Sequence, residues 1–197
     1  MPDSTPAPLG LRERKKARTR QALQDAALRL IRAQGYDATT VDQIAAAAEV
    51  SPATFFRYFP TKEDVIIEDE YDPVMIRRWH DADLVGTPVQ RIRQVVRETM
   101  DGLSADERAA ILERTRLIYS VPQLRARAWD NWMRTQRVFA ELLGEQLRRP
   151  PEDLRIRAYA GAVMGAMLSV FEIWIADPSL DLGDLLDEAL AVLDDGL

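Results

Sequence analysis

Residues 50–65 read "VSPATFFRYFPTKEDV". Four aromatic rings, Phe55, Phe56, Tyr58 and Phe59, fall within five positions around a single arginine, Arg57. Ser51 is a helix N-cap residue, and Pro52 occupies the first helical position, where a missing N–H costs nothing. In a helix that starts at Pro52, Phe55 and Phe59 lie four apart and share a face. They are expected to pack inward against Leu30, Val41 and Ile44. Phe56 falls on a different face, and a small three-helix core has no room for all four rings.

The segments upstream complete the unit. Leu23, Ala26, Ala27, Leu30 and Ile31 repeat at helical spacing, which predicts a helix over 11–34 that Gly35 ends. Thr40 and Gln43 form a capping box for the next helix, with Val41, Ile44, Ala45 and Ala48 on its buried face. The link "AEVS", 48–51, joins two short helices in the manner of a helix-turn-helix, whose second helix enters the major groove of DNA. Roles follow for the residues left outside the core. Thr54 offers a methyl and a hydroxyl at groove level, and Arg57 reaches a guanine or a phosphate. Phe56 lies against sugar or a thymine methyl, and Tyr58 donates to phosphate. Ser51, Pro52 and Ala53 at the helix start, and Thr40 at the cap before it, belong to the same DNA-facing set. Lys62 is placed for phosphate contact near the start of a fourth helix, expected from Lys62 with Thr61 as cap.

Charge agrees with that assignment. The chain carries −6 overall, but residues 11–34 hold eight basic and two acidic residues, among them Arg12, Arg14, Lys15, Lys16, Arg18 and Arg20. Arg18 and Arg20 are the expected phosphate contacts of the first helix. Residues 65–197 hold 16 basic and 24 acidic residues. One end is therefore suited to a polyanion and the rest is not.

Other function classes find little support. There is no cysteine, hence no disulfide, thiol nucleophile or thiolate metal site. His80 is the only histidine, with only Asp81 and Asp83 as neighbouring ligands, so no metal or other cofactor is expected. No phosphate loop, nucleophile elbow or histidine pair suggests an enzyme. A helical module that binds only protein is the other rival, and the basic segment argues against it. No apolar run is read as reaching the ~20 residues that span a bilayer, and "MPDSTPAPLG" has no apolar signal core, so a cytoplasmic protein with no membrane partner is expected.

"TTVDQIAAAAEVSPATFFRYFPTKEDV" resembles the DNA-binding region of TetR-family repressors. The likeness runs over about residues 12–65 and rests on Thr40, Ile44, Ala45, Val50, Ser51, Thr54, Tyr58, Phe59, Lys62 and Glu63. Two positions depart from the family pattern. Glu49 stands where glycine is usual, at a left-handed turn position, and Phe56 where tyrosine is common. The resemblance implies an all-α fold with an N-terminal three-helix helix-turn-helix DNA-binding domain. It also implies a C-terminal helical ligand-binding and dimerisation domain. The expected division is a disordered tail at 1–10, the DNA-binding domain at 11–61 and the C-terminal domain at 62–197.

The C-terminal part is read as helices throughout. Pro73 is expected to break or kink the helix from Lys62. Later helices start at Gly86-Thr87-Pro88, at the capping box Ser104–Glu107, at Pro122, and at Pro150-Pro151. A final helix covers 181–195. Met75, Trp79, Met100, Tyr119, Trp129, Trp132, Met133, Met164, Met167 and Phe171 are the candidate lining of a pocket for a hydrophobic effector, acyl or aromatic. Gly161 and Gly165 cost stability in mid-helix, which close approach of another helix or room for a ligand would explain. Leu182, Leu186 and Leu190 form an apolar stripe on the last helix, and Trp174 lies near the end of the one before. These six are the expected homodimer interface. The resulting expectation is a repressor that binds a palindromic double-stranded operator as a dimer and is released by a small molecule.

Overall fold

The computed structural model describes residues 10–68, 71–81 and 84–195. The expected tail falls outside the described residues except for Gly10. Within them the chain forms ten α-helices and no strand. It divides into two compact units, 1–66 and 67–197.

The first unit holds α1 (Leu11–Gln34), α2 (Val41–Ala47) and α3 (Pro52–Tyr58). Local chemistry sets their ends. Gly35, at φ +84°, ends α1 in a conformation that favours glycine. The Thr40 side chain accepts from the Gln43 N–H while the Gln43 side chain accepts from the Thr40 N–H. Ser51 Oγ accepts from the Thr54 N–H at 3.1 Å. Leu23, Ala26, Ala27, Ile31, Ile44, Ala45, Phe55 and Phe59 are buried and make this unit's core.

The fourth helix differs from the sequence reading. It is a single turn, α4 (Asp64–Ile67), and α5 (Tyr71–Asp81) follows. The break therefore precedes Pro73, which sits in the first turn of α5, where its missing N–H is tolerated. Thr61 does cap α4: its N–H and hydroxyl donate to the Asp64 carboxylate, and the Asp64 N–H donates back to Thr61 Oγ1.

The second unit packs α5, α6 (Pro88–Asp101), α7 (Ala105–Ser120), α8 (Pro122–Leu147), α9 (Leu154–Ala176) and α10 (Leu182–Asp195). Its apolar core includes Val89, Ile92, Leu143, Ile156, Val163 and Leu190. Asp153, beyond the two prolines, is the N-cap of α9 and accepts from the Arg155 N–H. Gly144 is demanded by packing: a Cβ there would stand 2.8 Å from the Arg149 carbonyl oxygen, which folds back where α8 ends. Helix α9 corrects one sequence reading. It has 23 residues and a mean hydropathy of 1.5 over its most apolar window, so by length and composition it could cross a bilayer. Its inner face, Ile156, Ala160, Val163, Met167, Val170 and Trp174, is instead buried in this unit's core.

Helix α10 is held on α6 by charge as well as by leucines. Arg93 donates to both Asp187 oxygens, at 2.8 and 3.0 Å, and Arg97 adds a third bond at 2.9 Å. These bonds hold the Asp187 carboxyl down at about 2. A carboxyl depressed on folding stabilises the fold above its unfolded value, ~3.9, and loses that contribution as pH falls toward 2. Asp187→Asn is expected to lower the stability of this unit by roughly 1–2 kcal/mol at neutral pH. Urea denaturation of both proteins across pH 7 to 2 checks this, with the gap expected to close in acid.

Candidate nucleic-acid interface and effector cavity

The turn between α2 and α3 is a Schellman motif. The Val50 N–H reaches the Ala45 carbonyl at 2.9 Å and the Glu49 N–H reaches Ala46 at 3.1 Å. Glu49 occupies the left-handed position, φ +56°, that this motif gives to glycine. The turn therefore forms despite the side chain, at a cost of about 1 kcal/mol.

Helix α3 separates its rings sharply. Phe55 and Phe59 have no exposed surface, whereas Phe56 is 53% exposed and meets the Phe55 ring edge-on. Ser51, Pro52, Ala53 and Arg57 are exposed, and Thr54 and Tyr58 are half-buried. The Thr54 hydroxyl is already within 3.0 Å of Ser51 Oγ, so its methyl and its remaining hydrogen-bonding capacity are what it offers outward. The Arg57 guanidinium stands 5.6 Å from the centre of the Tyr58 ring. Thr40 is exposed but its oxygen is occupied in capping. Arg12, Arg14, Lys15, Lys16 and Arg18 are all exposed on the first two turns of α1, and Arg18 borders a groove shared with Glu49 and Val50.

Two cations expected at phosphate, Lys62 and Arg20, also make contacts inside this unit. The Lys62 ammonium donates to the carbonyls of Tyr36 and Thr39, both at 3.0 Å, and sits 3.9 Å from the centre of the Tyr36 ring. Two of its three protons are thus spent tying the entry to α4 to the loop between α1 and α2. The same loop receives Glu63, which accepts from the Tyr36 hydroxyl. Burial and that bond push the Tyr36 phenol up. Burial alone would raise Glu63, but hydrogen bonds, led by the one from Tyr36, hold it below its usual range. Arg20 lies 4.5 Å from the centre of the Phe59 ring, braced on the core. Lone sequence positions carried no sign of this knot, because Tyr36 and Glu63 are 27 residues apart.

Among the described residues, two mostly apolar cavities of the second unit have volumes of about 230 and 170 Å3. Met75, Val96, Asn131, Thr135 and Phe139 line both, so the two cavities adjoin. Of the candidate lining, Trp79 borders the first cavity. Met100, Tyr119, Trp132, Met164, Met167 and Phe171 border the second, and Met75 both. Burial, and then the nearby Glu172 carboxylate, push the Tyr119 phenol up, so it stays a neutral hydrogen-bond donor. Trp129 and Met133 do not belong to this set: they are 62% and 38% exposed and line neither cavity. Trp132 turns inward with Ala128, Asn131 and Thr135, and Trp129 and Met133 fall on the flank of α8, off that inward stripe. Sequence reading missed Arg114, Asn131, Arg134 and Thr135, whose polar side chains gave no apolar signal.

The interface candidates also divide. Trp174, Leu182, Leu186 and Leu190 are buried within the chain's own core, and Leu182 and Leu186 line the second cavity. The apolar stripe of α10 is satisfied by α6 and α9, so it needs no second copy to cover it. Gly161 and Gly165 face the other way. A Cβ on Gly161 would meet only the tip of Gln136 at 3.1 Å, and one on Gly165 would meet nothing within 4 Å.

Residues 23–68 match the family "Bacterial regulatory proteins, tetR family", and residues 86–197 match the "MftR C-terminal domain". Among individual proteins, the chain is 58% identical over 64 residues to the HTH-type transcriptional regulator TcmR of Streptomyces glaucescens. That match covers 32% of this chain and 28% of TcmR. It is 26% identical over 187 residues, 93% of each chain, to MftR of Mycobacterium tuberculosis, described as a regulator of mycofactocin biosynthesis. The crystal structure of FadR from Thermus thermophilus, a repressor in complex with lauroyl-CoA, superposes with a TM-score of 0.57. Identity there is 26%, over 90% of this chain and 94% of that one.

Glu49→Gly is expected to stabilise the first unit by about 0.5–1 kcal/mol, since glycine removes the left-handed strain. Thermal melting followed by circular dichroism checks it. An unchanged or lowered midpoint would show that the Glu49 side chain earns its place in the groove beside Arg18.

Proposed function

The chain belongs to the tetR family of bacterial regulatory proteins, DNA-binding transcriptional regulators and not enzymes, and we propose that it is a cytoplasmic repressor released by a small apolar effector. One observation carries this reading. Helix α3 withdraws Phe55 and Phe59 and turns Pro52, Ala53, Phe56 and Arg57 outward, while a separate unit keeps an apolar cavity. An apolar pocket left open among core helices forgoes packing contacts that a bound apolar ligand would supply. The FadR relative is a repressor whose structure holds lauroyl-CoA, which supports a hydrophobic occupant here.

In this reading α3 enters the major groove. Arg57 and Thr54 meet base edges or phosphate, Phe56 meets sugar or a thymine methyl, and Tyr58 with the exposed basic residues of α1 contacts phosphate. Lys62 acts chiefly by fixing the loop that Tyr36 begins. The chain runs from the Thr61–Asp64 cap to Ile67, which lines the effector cavity. A ligand that prefers one arrangement of Ile67 therefore biases the segment leading to the recognition unit. A coupling of ~1–3 kcal/mol is enough to shift occupancy of the operator.

Dimerisation goes to the outer face of α9. Ala158, Ala162, Gly165 and Ser169 are small and exposed there, and half-exposed Ile173 continues the strip. A symmetry-related copy of the same helix can approach closely along it, and a two-fold dimer matches a palindromic operator.

Fluorescence anisotropy on a duplex enriched from a random library tests the DNA half. Binding is expected to weaken steeply with salt, and Arg57→Ala to cost about 1–3 kcal/mol. Equal affinity for unrelated duplexes at physiological salt would overturn the reading. Gly165→Arg tests the dimer: light scattering is expected to show a folded monomer that no longer binds the palindrome. A variant that stays dimeric would place the interface on another face.

A further inference from the structure

The charged groups around the two cavities are one-sided. The stretch 65–197 has an excess of eight acidic residues, yet no carboxylate lines either cavity among the described residues. Their charged lining is Arg114 in the second and Arg134 in the first. Arg114 is already engaged with a partner. Arg134 is exposed at the rim of the first cavity, and the structure gives it one hydrogen bond, 3.0 Å to Asn131 Oδ1. Asn131 lines both cavities, and that bond turns its carbonyl oxygen toward the arginine and leaves its amide N–H groups as donors.

We infer that the effector is an apolar acid, a hydrophobic body with one carboxylate, and that Arg134 and Asn131 bind the carboxylate. This rests on the effector reading proposed above and names the chemistry of its ligand. A guanidinium presents five N–H donors in a fork that matches a carboxylate, and one of them is used. A neutral apolar occupant would give the Arg134 guanidinium no charged partner. A cation would add repulsion. An anion pairs with the guanidinium while its apolar body lies along Met75, Trp79, Val96 and Phe139. The net negative charge of the second unit would otherwise disfavour an anion, so local cationic lining is what admits one.

Isothermal titration calorimetry on the full chain with decanoate, decanol and decylamine at neutral pH tests this, below the concentrations at which they self-associate. Decanoate is expected to bind at least ten-fold tighter than decanol, and decylamine weakest. Arg134→Gln should bring decanoate down to the level of decanol and leave decanol unchanged, and Arg134→Lys should restore part of the preference. Phe139→Trp, which fills the wall shared by both cavities, should weaken acid and alcohol together. Acid and alcohol binding alike in the parent protein, or a preference that survives Arg134→Gln, overturns the carboxylate assignment while the cavity reading stands. Decanoate binding that survives Phe139→Trp unchanged, or no binding by any of the three, removes the cavity reading and the assignment with it.

Discussion

Phe55 and Phe59, one helical turn apart and both withdrawn from water, decide which way α3 faces. A seven-residue helix has little stability of its own, so its orientation comes from the side chains it buries. Once these two rings enter the core with Leu23, Ile31 and Ile44, the opposite surface of α3 is fixed as Pro52, Ala53, Phe56 and Arg57. The caps at Thr40 and Ser51 set where the two short helices begin, and the Schellman turn at Glu49 sets how the chain passes between them. The strain at Glu49 persists because the buried rings and two turn hydrogen bonds over-determine the local backbone.

The second unit solves a different problem. It must keep an apolar interior that is incompletely filled. Helix α10 closes over α6 with leucines and with the bonds from Arg93 and Arg97 to Asp187, which lie along the outer edge of the contact. Polar bonds at that edge hold the helices together without filling the space inside. The flexible methionines Met75, Met100, Met164 and Met167 around the cavities allow the walls to adapt. The buried threonines Thr99 and Thr115 are satisfied by carbonyls of their own helices, so they place no unmet polar demand on a ligand.

Much of the fold was legible because its signals are local. The caps at Thr40, Ser51, Thr87 and Ser104, the stop at Gly35 and the prolines at helix starts each act within four residues. The inward pair Phe55 and Phe59 followed from helical spacing alone. The start of α4 was misjudged: Lys62 and Glu63 lie just before it and are engaged with Tyr36, across 26 and 27 residues. Trp129 was misplaced for a related reason. Spacing says that Trp129 and Trp132 are neighbours on α8, but the packing of α7 and α9 against α8 determines where the edge of the buried stripe falls.

The sequence by itself determined the helical class, the helix-turn-helix, its capping and the rings that make its core, because these depend on residues close in the chain. Tertiary structure alone decided the fate of long side chains and apolar stripes. It drew Lys62 and Arg20 onto Tyr36 and Phe59, and spent the leucines of α10 on the chain's own core. It also left Gly165 facing outward and set Arg134 at the rim of an apolar cavity. A flexible cation or an amphipathic face has several partners of similar energy. Which one it takes depends on what the fold brings within a few ångströms, and sequence spacing carries no record of that.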